Sequence, residues 1–209
     1  NRRYYRMKEN KAIIAIGRQF GSGGKLVAEA IGRLLDIPVY DKELIAKAAE
    51  ESGFSKELFK KSDEKRNLFS ISSFFSSGRF GPGNNYVGDN ELFKFQSNVI
   101  QGIAAEGPAV FVGRCADYIL RETNRLSVFI TAPLENRIQR VRERMGVDRE
   151  EASSLIQKKD RSRATYYNFF SFGDWGAASN YDLCIDSSIL GIERTAETII
   201  SFGKEGGKI

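Results

Sequence analysis

Length, composition and charge exclude many function classes for this chain. It has 209 residues, 41 % hydrophobic and 28 % charged, which fits one globular domain and argues against a disordered chain. The absence of histidine excludes Ser-His-Asp and Cys-His catalysis, and two cysteines are too few for a disulfide framework or a zinc site. A net charge of +5 favours anionic partners, and phosphoryl transfer is the large reaction class that arginine, lysine, aspartate and a metal ion can carry out.

The apolar runs alternate with amphipathic segments along the chain. Because short buried strands that alternate with helices are typical of a parallel sheet covered on both faces, the sequence predicts an α/β fold. Pro133 fits the first turn of a helix after the fourth strand. Strands are predicted at residues 12–16, 37–40, 109–112, 126–130 and 183–185, and helices at 25–35, 42–51 and 191–202.

Two segments interrupt this alternation. Residues 70–90 are rich in Gly, Ser, Asn and Phe, which predicts a long loop or flap. Residues 161–180 contain clustered aromatic residues followed by Gly-Asp-Trp-Gly, which we interpret as a second mobile element. We therefore predict one domain over 1–209, with a core at about 12–202, a flap at about 66–90 and a lid at about 145–180.

A glycine-rich segment follows the first strand, and its sequence is GRQFGSGGK, from Gly17 to Lys25. Small residues let backbone N–H groups surround phosphate oxygens, and the next helix adds its positive N-terminal end. A lysine there adds charge to the outer phosphates. The segment departs from G-x-x-x-x-G-K-[ST] at Gln19 and Leu26, and a ligand-free turn is the alternative. We predict that Gly21, Ser22, Gly23, Gly24 and Lys25 bind the donor phosphates.

Four motifs in the same order resemble the cytidylate kinase-like branch of the nucleoside-monophosphate kinases. They are RQFGSGG at 18–24, YDKELI at 40–45, GRCADY at 113–118 and KDRSRA at 159–164, and NYDLCIDSS at 180–188 follows them. The resemblance extends over about 13–200. It implies a P-loop NTPase-type five-stranded parallel sheet of order 2-3-1-4-5, ATP with Mg²⁺ as the donor, and CMP or dCMP as the acceptor.

The chain also departs from well-studied cytidylate kinases, which have G-K-G-T where Gly23 to Leu26 stand. They carry an aspartate before the Gly-Arg of strand three, where this chain has Val112, and that carboxylate normally helps to hold magnesium. They carry Asp-Ser-Gly after strand two, where this chain has Asp41-Lys42-Glu43. These differences affect the metal site and the pyrimidine site.

The acceptor is predicted to lie at the carboxyl ends of strands two and three. Asp41 and Lys47 follow strand two, and cytidylate kinases hold the acceptor phosphate with an arginine at the spacing of Lys47. Arg114 follows strand three and can grip a phosphate with two hydrogen bonds, with a structural ion pair as the alternative. Asp117 could bind base or ribose, replace the metal carboxylate, or simply place a charge in the first turn of a helix.

Further arginines are assigned to the lid. Arg137, Arg140 and Arg144 share one helical face, and their position in the family favours Arg137 and Arg140 near the lid hinge. Of these, Arg137 is predicted to bind the acceptor. Arg161 and Arg163 match lid arginines that stabilise charge on the transferring phosphoryl group. For both groups, an ordinary solvated charged face is the alternative.

The predicted activity is ATP-dependent phosphoryl transfer to a nucleoside monophosphate, with nucleotides as partners. The main rival is a nucleotide-binding regulatory protein that keeps the kinase fold with little turnover, which the altered loop and Val112 would explain. A nucleic-acid binder is the second rival, suggested by charge and interleaved aromatics, but no nucleic-acid motif accompanies them. No membrane span or signal peptide is visible, and a cytoplasmic location is predicted.

Overall fold

A computed structural model describes residues 12–51 and 86–209. In this part of the chain five strands form one parallel sheet of order β2–β3–β1–β4–β5. The predicted fold class and strand order are therefore confirmed. The strands are β1 Ile13–Arg18, β2 Val39–Tyr40, β3 Ala109–Val112, β4 Leu126–Thr131 and β5 Leu183–Asp186.

The helices connect the strands and cover both faces of the sheet. They are α1 Gly24–Leu35, α2 Lys42–Glu51, α3 Tyr86–Glu106, α4 Ala116–Ile119, α5 Leu134–Met145, α6 Arg149–Ser171 and α7 Ser187–Glu205. Helix α7 is kinked at Gly191, whose backbone is not helical. None of the helices described here has the length and apolar content needed to cross a bilayer.

The central strand β1 explains why the core has two halves. Its side chains alternate between the two faces, as in every strand. Ile13 and Ala15 join one apolar cluster with α3, α4 and α6, while Ile14 and Ile16 join another with α1 and α7. All four side chains are fully buried, so β1 is fixed from both sides. Its carboxyl end therefore holds the glycine-rich loop in one place.

The structure corrects the predicted extent of the flap. Residues 86–90 were assigned to the irregular segment but form the first turns of α3, which the sequence analysis missed. Gly88, Asp89 and Asn90 at this end are poor helix formers, and they masked the apolar positions that follow. The rest of the flap, residues 66–85, lies outside the described residues.

The lid region is largely a single helix. Helix α6 begins after Asp148, whose side chain accepts a hydrogen bond from the Glu151 N–H at 2.8 Å. Tyr166, Tyr167 and Phe170 are buried in the core, and Phe170 stacks on Phe93 with the ring centroids 4.0 Å apart. These aromatics are thus core residues and not a surface on which nucleic-acid bases could stack. The mobility of the lid stays a prediction.

Candidate active site

The glycine-rich loop joins the carboxyl end of β1 to the start of α1. Gly21 and Gly23 have φ angles of +81° and +78°, a conformation that favours glycine. Gln19 fastens the loop to the end of β4, because its N–H donates to Ile130 O at 3.1 Å and its Oε1 accepts from Thr131 Oγ1 at 2.5 Å. The first N–H groups of α1 lack helical partners, so this turn is suited to an anion.

The predicted donor residues occupy this loop, but their side chains face different ways. Ser22 is completely buried, and its Oγ donates to Gln19 O at 3.0 Å. The carbonyl of Ser22 accepts a hydrogen bond from Ser187 Oγ at the start of α7. Ser22 therefore stabilises the loop with its side chain.

Lys25 is turned towards the end of β2. Its Nζ lies 2.8 Å from Asp41 Oδ2 and 3.9 Å from Glu29 Oε1. The hydrogen bond with Asp41 raises the pKa of Lys25. Burial alone would raise the pKa of Asp41, but hydrogen bonds from Lys25 and from the N–H groups of Leu44 and Glu43 outweigh it and lower that pKa. Asp41 is thus both a partner of Lys25 and the residue that caps α2.

The lid helix contacts the loop through a partly buried ion pair. Asp160 accepts the Phe20 N–H on Oδ1 at 2.7 Å and Arg137 Nη1 on Oδ2 at 2.6 Å. Arg137 Nη1 also donates to Phe20 O at 3.4 Å, while its buried Nε has no hydrogen-bond partner among the described residues. Arg137 was predicted to bind the acceptor. The structure places it against the loop and α6 instead.

A cavity of about 340 Å³ opens between the loop, the end of β3 and α6. Its end beside the loop is basic and contains Arg18, Arg114 and Arg163. Arg163 Nη1 donates to Arg18 O at 2.9 Å, and its guanidinium lies 5.5 Å from the centre of the Phe20 ring. Burial lowers the pKa of Arg163 to about 10. Such an end is suited to phosphate groups.

Arg114 lies in an unusual turn after β3. Gly113, Arg114 and Cys115 all have positive φ angles, of +77°, +58° and +55°. Gln96 holds the turn by donating to Arg114 O at 3.0 Å, and the Arg114 guanidinium lies 5.6 Å from the centre of the Tyr166 ring. Because positive φ is costly for residues other than glycine, the turn is a strained backbone held by its surroundings. Cys115 is buried, and burial raises the pKa of its thiol well above the usual value.

A second part of the cavity lining, here called the aromatic end, contains a carboxylate among aromatic rings. Asp117 is buried and accepts the Tyr167 hydroxyl at 2.8 Å. Burial raises the pKa of Asp117 and also those of the phenols of Tyr167 and Tyr181. The buried Tyr181 hydroxyl makes no hydrogen bond of good geometry in the described part of the chain, although the Tyr167 hydroxyl and the Gly176 backbone are near enough to affect its pKa. With Trp175, these residues form a polar aromatic end of the cavity.

The structure brings only some of the predicted residues together. Lys25, Asp41, Arg114, Asp117 and Arg163 line the cavity. Arg161 lies on the exposed side of α6, two residues from Arg163, and Lys47 is exposed on α2. A nucleotide would therefore have to reach these two side chains from the solvent side.

The sequence analysis missed several residues of the site, and they differ in how clearly the sequence indicates them. Arg18 belongs to the quoted RQFGSGG motif, so a basic residue beside the phosphate loop was visible. Asp160 belongs to the quoted lid motif, so its spacing to the lid arginines was visible. Tyr167 and Tyr181 carry no sequence signal that separates them from ordinary core aromatics.

A site made of protein carboxylates for magnesium does not fit this arrangement. In residues 12–51 and 86–209 no three His, Cys, Asp or Glu side chains lie together as metal ligands. Asp41 and Asp160 are engaged by Lys25 and Arg137. The end of β3 carries the apolar Val112.

The sheet order and the loop after the central strand define a P-loop phosphotransferase fold. A solved shikimate kinase from Bacteroides thetaiotaomicron shares this fold, with a TM-score of 0.53 and 15 % identity over 95 % of this chain and 99 % of its own. An uncharacterised protein from Eubacterium ventriosum is more similar, with a TM-score of 0.70 and 31 % identity over 91 % of this chain and 97 % of that one.

The chain belongs to the cytidylate kinase-like family, whose model matches residues 13–189. It is 28 % identical to a cytidylate kinase from Methanopyrus kandleri, over 84 % of both chains. It is 27 % identical to a cytidylate kinase from Pyrococcus horikoshii, over 87 % of this chain and 83 % of the relative. Family membership supports nucleotide kinase activity.

Proposed function

We propose that this protein transfers the γ-phosphoryl group of ATP to a nucleoside monophosphate, with CMP or dCMP as the preferred acceptor. The observation that carries the proposal is the chemical contrast between the two ends of the cavity. Arg18, Arg114 and Arg163 line one part of the cavity, and Asp117 and Tyr181 line the aromatic part. A nucleotide has the same polarity, since it carries a phosphate at one end and a base at the other.

The basic end favours an acceptor that already carries a phosphate. Guanidinium groups bind phosphate oxygens through paired, charge-assisted hydrogen bonds. A neutral sugar or a shikimate-like alcohol has no phosphate oxygens to accept these hydrogen bonds. Arg114 would hold the acceptor phosphate, and Arg163 would reach the reacting groups from α6. Closure of the lid over the reacting groups would exclude water and so protect the donor from hydrolysis.

The aromatic end favours cytosine over uracil. An ionised carboxylate only accepts hydrogen bonds, so Asp117 pairs with the amino group of cytosine and opposes the carbonyl that uracil has there. Tyr181 supplies a further buried hydroxyl. Because unpaired buried polar groups are costly, this arrangement disfavours UMP. The names of the two archaeal relatives agree with this choice of base.

ATP is the proposed donor, and Mg²⁺ would be carried mainly by the donor phosphates and water, because the described residues contain no cluster of metal-binding side chains. The backbone from Gly21 to Gly24 would hold the donor phosphates. Lys25, paired with Asp41, would act at the boundary between donor and acceptor. Nucleotides are the proposed partners, and a cytoplasmic location remains a prediction.

An assay of ADP formation with CMP, dCMP, UMP, AMP and GMP tests the proposal. We expect CMP or dCMP to give the highest kcat/KM. Arg33→Gln is the matched control, because Arg33 lies on the outer part of α1 in an exposed ion pair with Glu193. A clear preference for another base would remove the cytidine assignment and keep the kinase assignment.

A regulatory protein with little turnover is the second candidate, favoured by Leu26 and Val112 at positions where related kinases have polar residues. ATP binding measured beside the ADP assay separates the two candidates. Binding of ATP together with turnover of none of the five monophosphates would support the regulatory protein.

A further inference from the structure

The start of α1 fixes how the loop corresponds to the P-loop motif. Gly23 is the last loop residue, with a left-handed backbone, and Gly24 is the first helical residue. With Gly23 as the second glycine of G-x-x-x-x-G-K-[ST], Gly24 occupies the lysine position and Arg18 the position of the first glycine. Lys25 then falls on the position of the serine or threonine. The basic residue and the glycine of the motif have exchanged places.

The side chain of Arg18 fills the space that a side chain at Gly24 would need. A Cβ atom on Gly24 would lie 2.5 Å from Cβ and 2.8 Å from Cγ of Arg18. At the other end, a Cβ atom on Gly113 would collide with the Arg18 guanidinium. Two glycines that are distant in sequence therefore make a passage for one arginine. Both positions are glycines because the Arg18 side chain occupies the space that their side chains would need.

The guanidinium of Arg18 lies in a region of excess positive charge. Burial lowers the pKa of Arg18 well below its usual value, and the neighbouring Arg163 and Arg114 lower it further. Asp41 and Asp160 act in the opposite direction. However, Asp41 is paired with Lys25, and Asp160 is shared by Arg137, the Phe20 N–H and, at 4.0 Å, Arg163 Nη1. A bound anion would relieve the repulsion among the three arginines.

We propose that Arg18 makes the contact with the transferring phosphoryl group that the motif lysine makes in other P-loop proteins. The inference rests on the proposed kinase function. In the transfer, an oxygen of the acceptor phosphate bonds to the γ-phosphorus. The bond from that phosphorus to the β,γ-bridging oxygen breaks, and ADP leaves with the electron pair. Arg18 donates hydrogen bonds to the phosphoryl oxygens throughout and transfers no proton.

Lys25 is a weaker candidate for this contact on geometric grounds. Its side chain is 59 % exposed, and its Nζ is held by Asp41 on the β2 side of the loop. Arg18 crosses the start of α1 at the position from which a motif lysine would extend. The arginine also lines the cavity together with Arg114 and Arg163.

Exchanging the two motif positions tests the inference. Arg18→Gln and Arg18→Gly should lower kcat with CMP by about a hundredfold or more, because a preorganised charge on the reacting group is lost. The double variant Arg18→Gly/Gly24→Lys restores the ordinary motif and should recover at least about tenfold over Arg18→Gly. Gly24→Lys alone should be impaired, since its side chain meets Arg18. Arg33→Gln, with circular dichroism and melting curves for all variants, controls for folding.

Calorimetric binding of tripolyphosphate to the same variants provides a readout without turnover. Arg18→Gln should weaken tripolyphosphate binding at least about tenfold, and Arg33→Gln should leave it unchanged. Activity of Arg18→Gln within threefold of the parent would overturn the inference while leaving the kinase assignment standing. If the parent protein shows no turnover, the kinase proposal fails. In that case, a tripolyphosphate affinity that is unchanged in Arg18→Gln would also overturn the contact between Arg18 and the phosphate.

Discussion

The two ends of the cavity are built by different means. The basic end rests on backbone features, namely the glycine loop, the left-handed turn at Arg114 and the passage for Arg18 between Gly24 and Gly113. The aromatic end rests on side chains that also belong to the core, such as Tyr167 and Tyr181. The first end is suited to phosphate in any nucleotide, and the second to one kind of base. Chemistry and specificity are therefore separable by mutation.

The largest expected effect is at the basic end. Arg114→Ala should lower kcat/KM for CMP by about 10²–10³, because acceptor grip and orientation are lost together. The kcat/KM of Arg114→Lys should lie between those of the parent and Arg114→Ala, since lysine keeps the charge but loses the paired hydrogen bonds. Steady-state kinetics with CMP and UMP measure this. If Arg114→Ala changed only the CMP:UMP ratio, the proposed division between the two ends would be wrong.

The ion pair that joins the lid helix to the loop should matter for stability. Asp160→Ala leaves Arg137 buried without its partner, and we expect a loss of about 3 kcal/mol in the free energy of unfolding. Urea titration at neutral pH measures the loss. The double variant Arg137→Met/Asp160→Leu should recover part of it, because it removes the unpaired charge of Arg137, while the Phe20 N–H and Arg163 still lack the carboxylate. A double variant as unstable as the single one would mean that packing, and not charge, holds this contact.

At the aromatic end, Asp117→Asn should change the choice of base. An asparagine amide can donate a hydrogen bond to uracil, so the CMP:UMP ratio of kcat/KM should fall about tenfold or more. Activity with the better of the two substrates should stay within about fivefold of the parent. A large loss with both substrates and no change in their ratio would place Asp117 in the chemistry instead.

The same variant gives a pH test. Burial raises the pKa of Asp117 in the folded protein above its unfolded value. The folded protein therefore loses stability relative to the unfolded chain as pH rises from the ordinary aspartate pKa through the raised one. Asparagine has no such cost, so the stability of Asp117→Asn relative to the parent should increase over this interval. Melting temperatures between about pH 4 and pH 8 measure it, and a relative stability that decreases over this interval would contradict the account.

The smallest effect is expected for Tyr181→Phe. The buried hydroxyl that this change removes makes no hydrogen bond of good geometry in the described residues, so the free energy of unfolding should stay the same or rise by up to about 1 kcal/mol. If the hydroxyl contacts the base, KM for CMP should rise a few-fold while kcat is kept. A marked loss of stability would show that the hydroxyl has a partner that the ligand-free geometry does not contain.

The sequence allowed the fold to be predicted because its signals are local. The apolar runs of β1, β3 and β4 and the glycines after β1 identify a parallel sheet with a phosphate loop. Helix α3 was missed because Gly88, Asp89 and Asn90 conceal its start. A weak local signal was overridden there by packing on the core.

The site was predicted less completely, since it depends on residues that are distant in sequence. Arg18 meets Gly24 and Gly113 only in the folded chain, and no spacing rule connects them. Tyr181 follows a short 3₁₀ turn and reads as an ordinary core aromatic. The lid arginines were predicted as a pair, yet the helical turn separates Arg163 in the cavity from Arg161 at the surface.

Transfer of the labelled γ-phosphate of ATP to CMP, compared with cytidine under the same conditions, tests the central claim most directly. If the basic end holds an acceptor phosphate and the aromatic end holds cytosine, the label appears in CDP and cytidine stays unlabelled. Label transferred to cytidine as readily as to CMP, or released only as inorganic phosphate whatever the acceptor, would contradict the account.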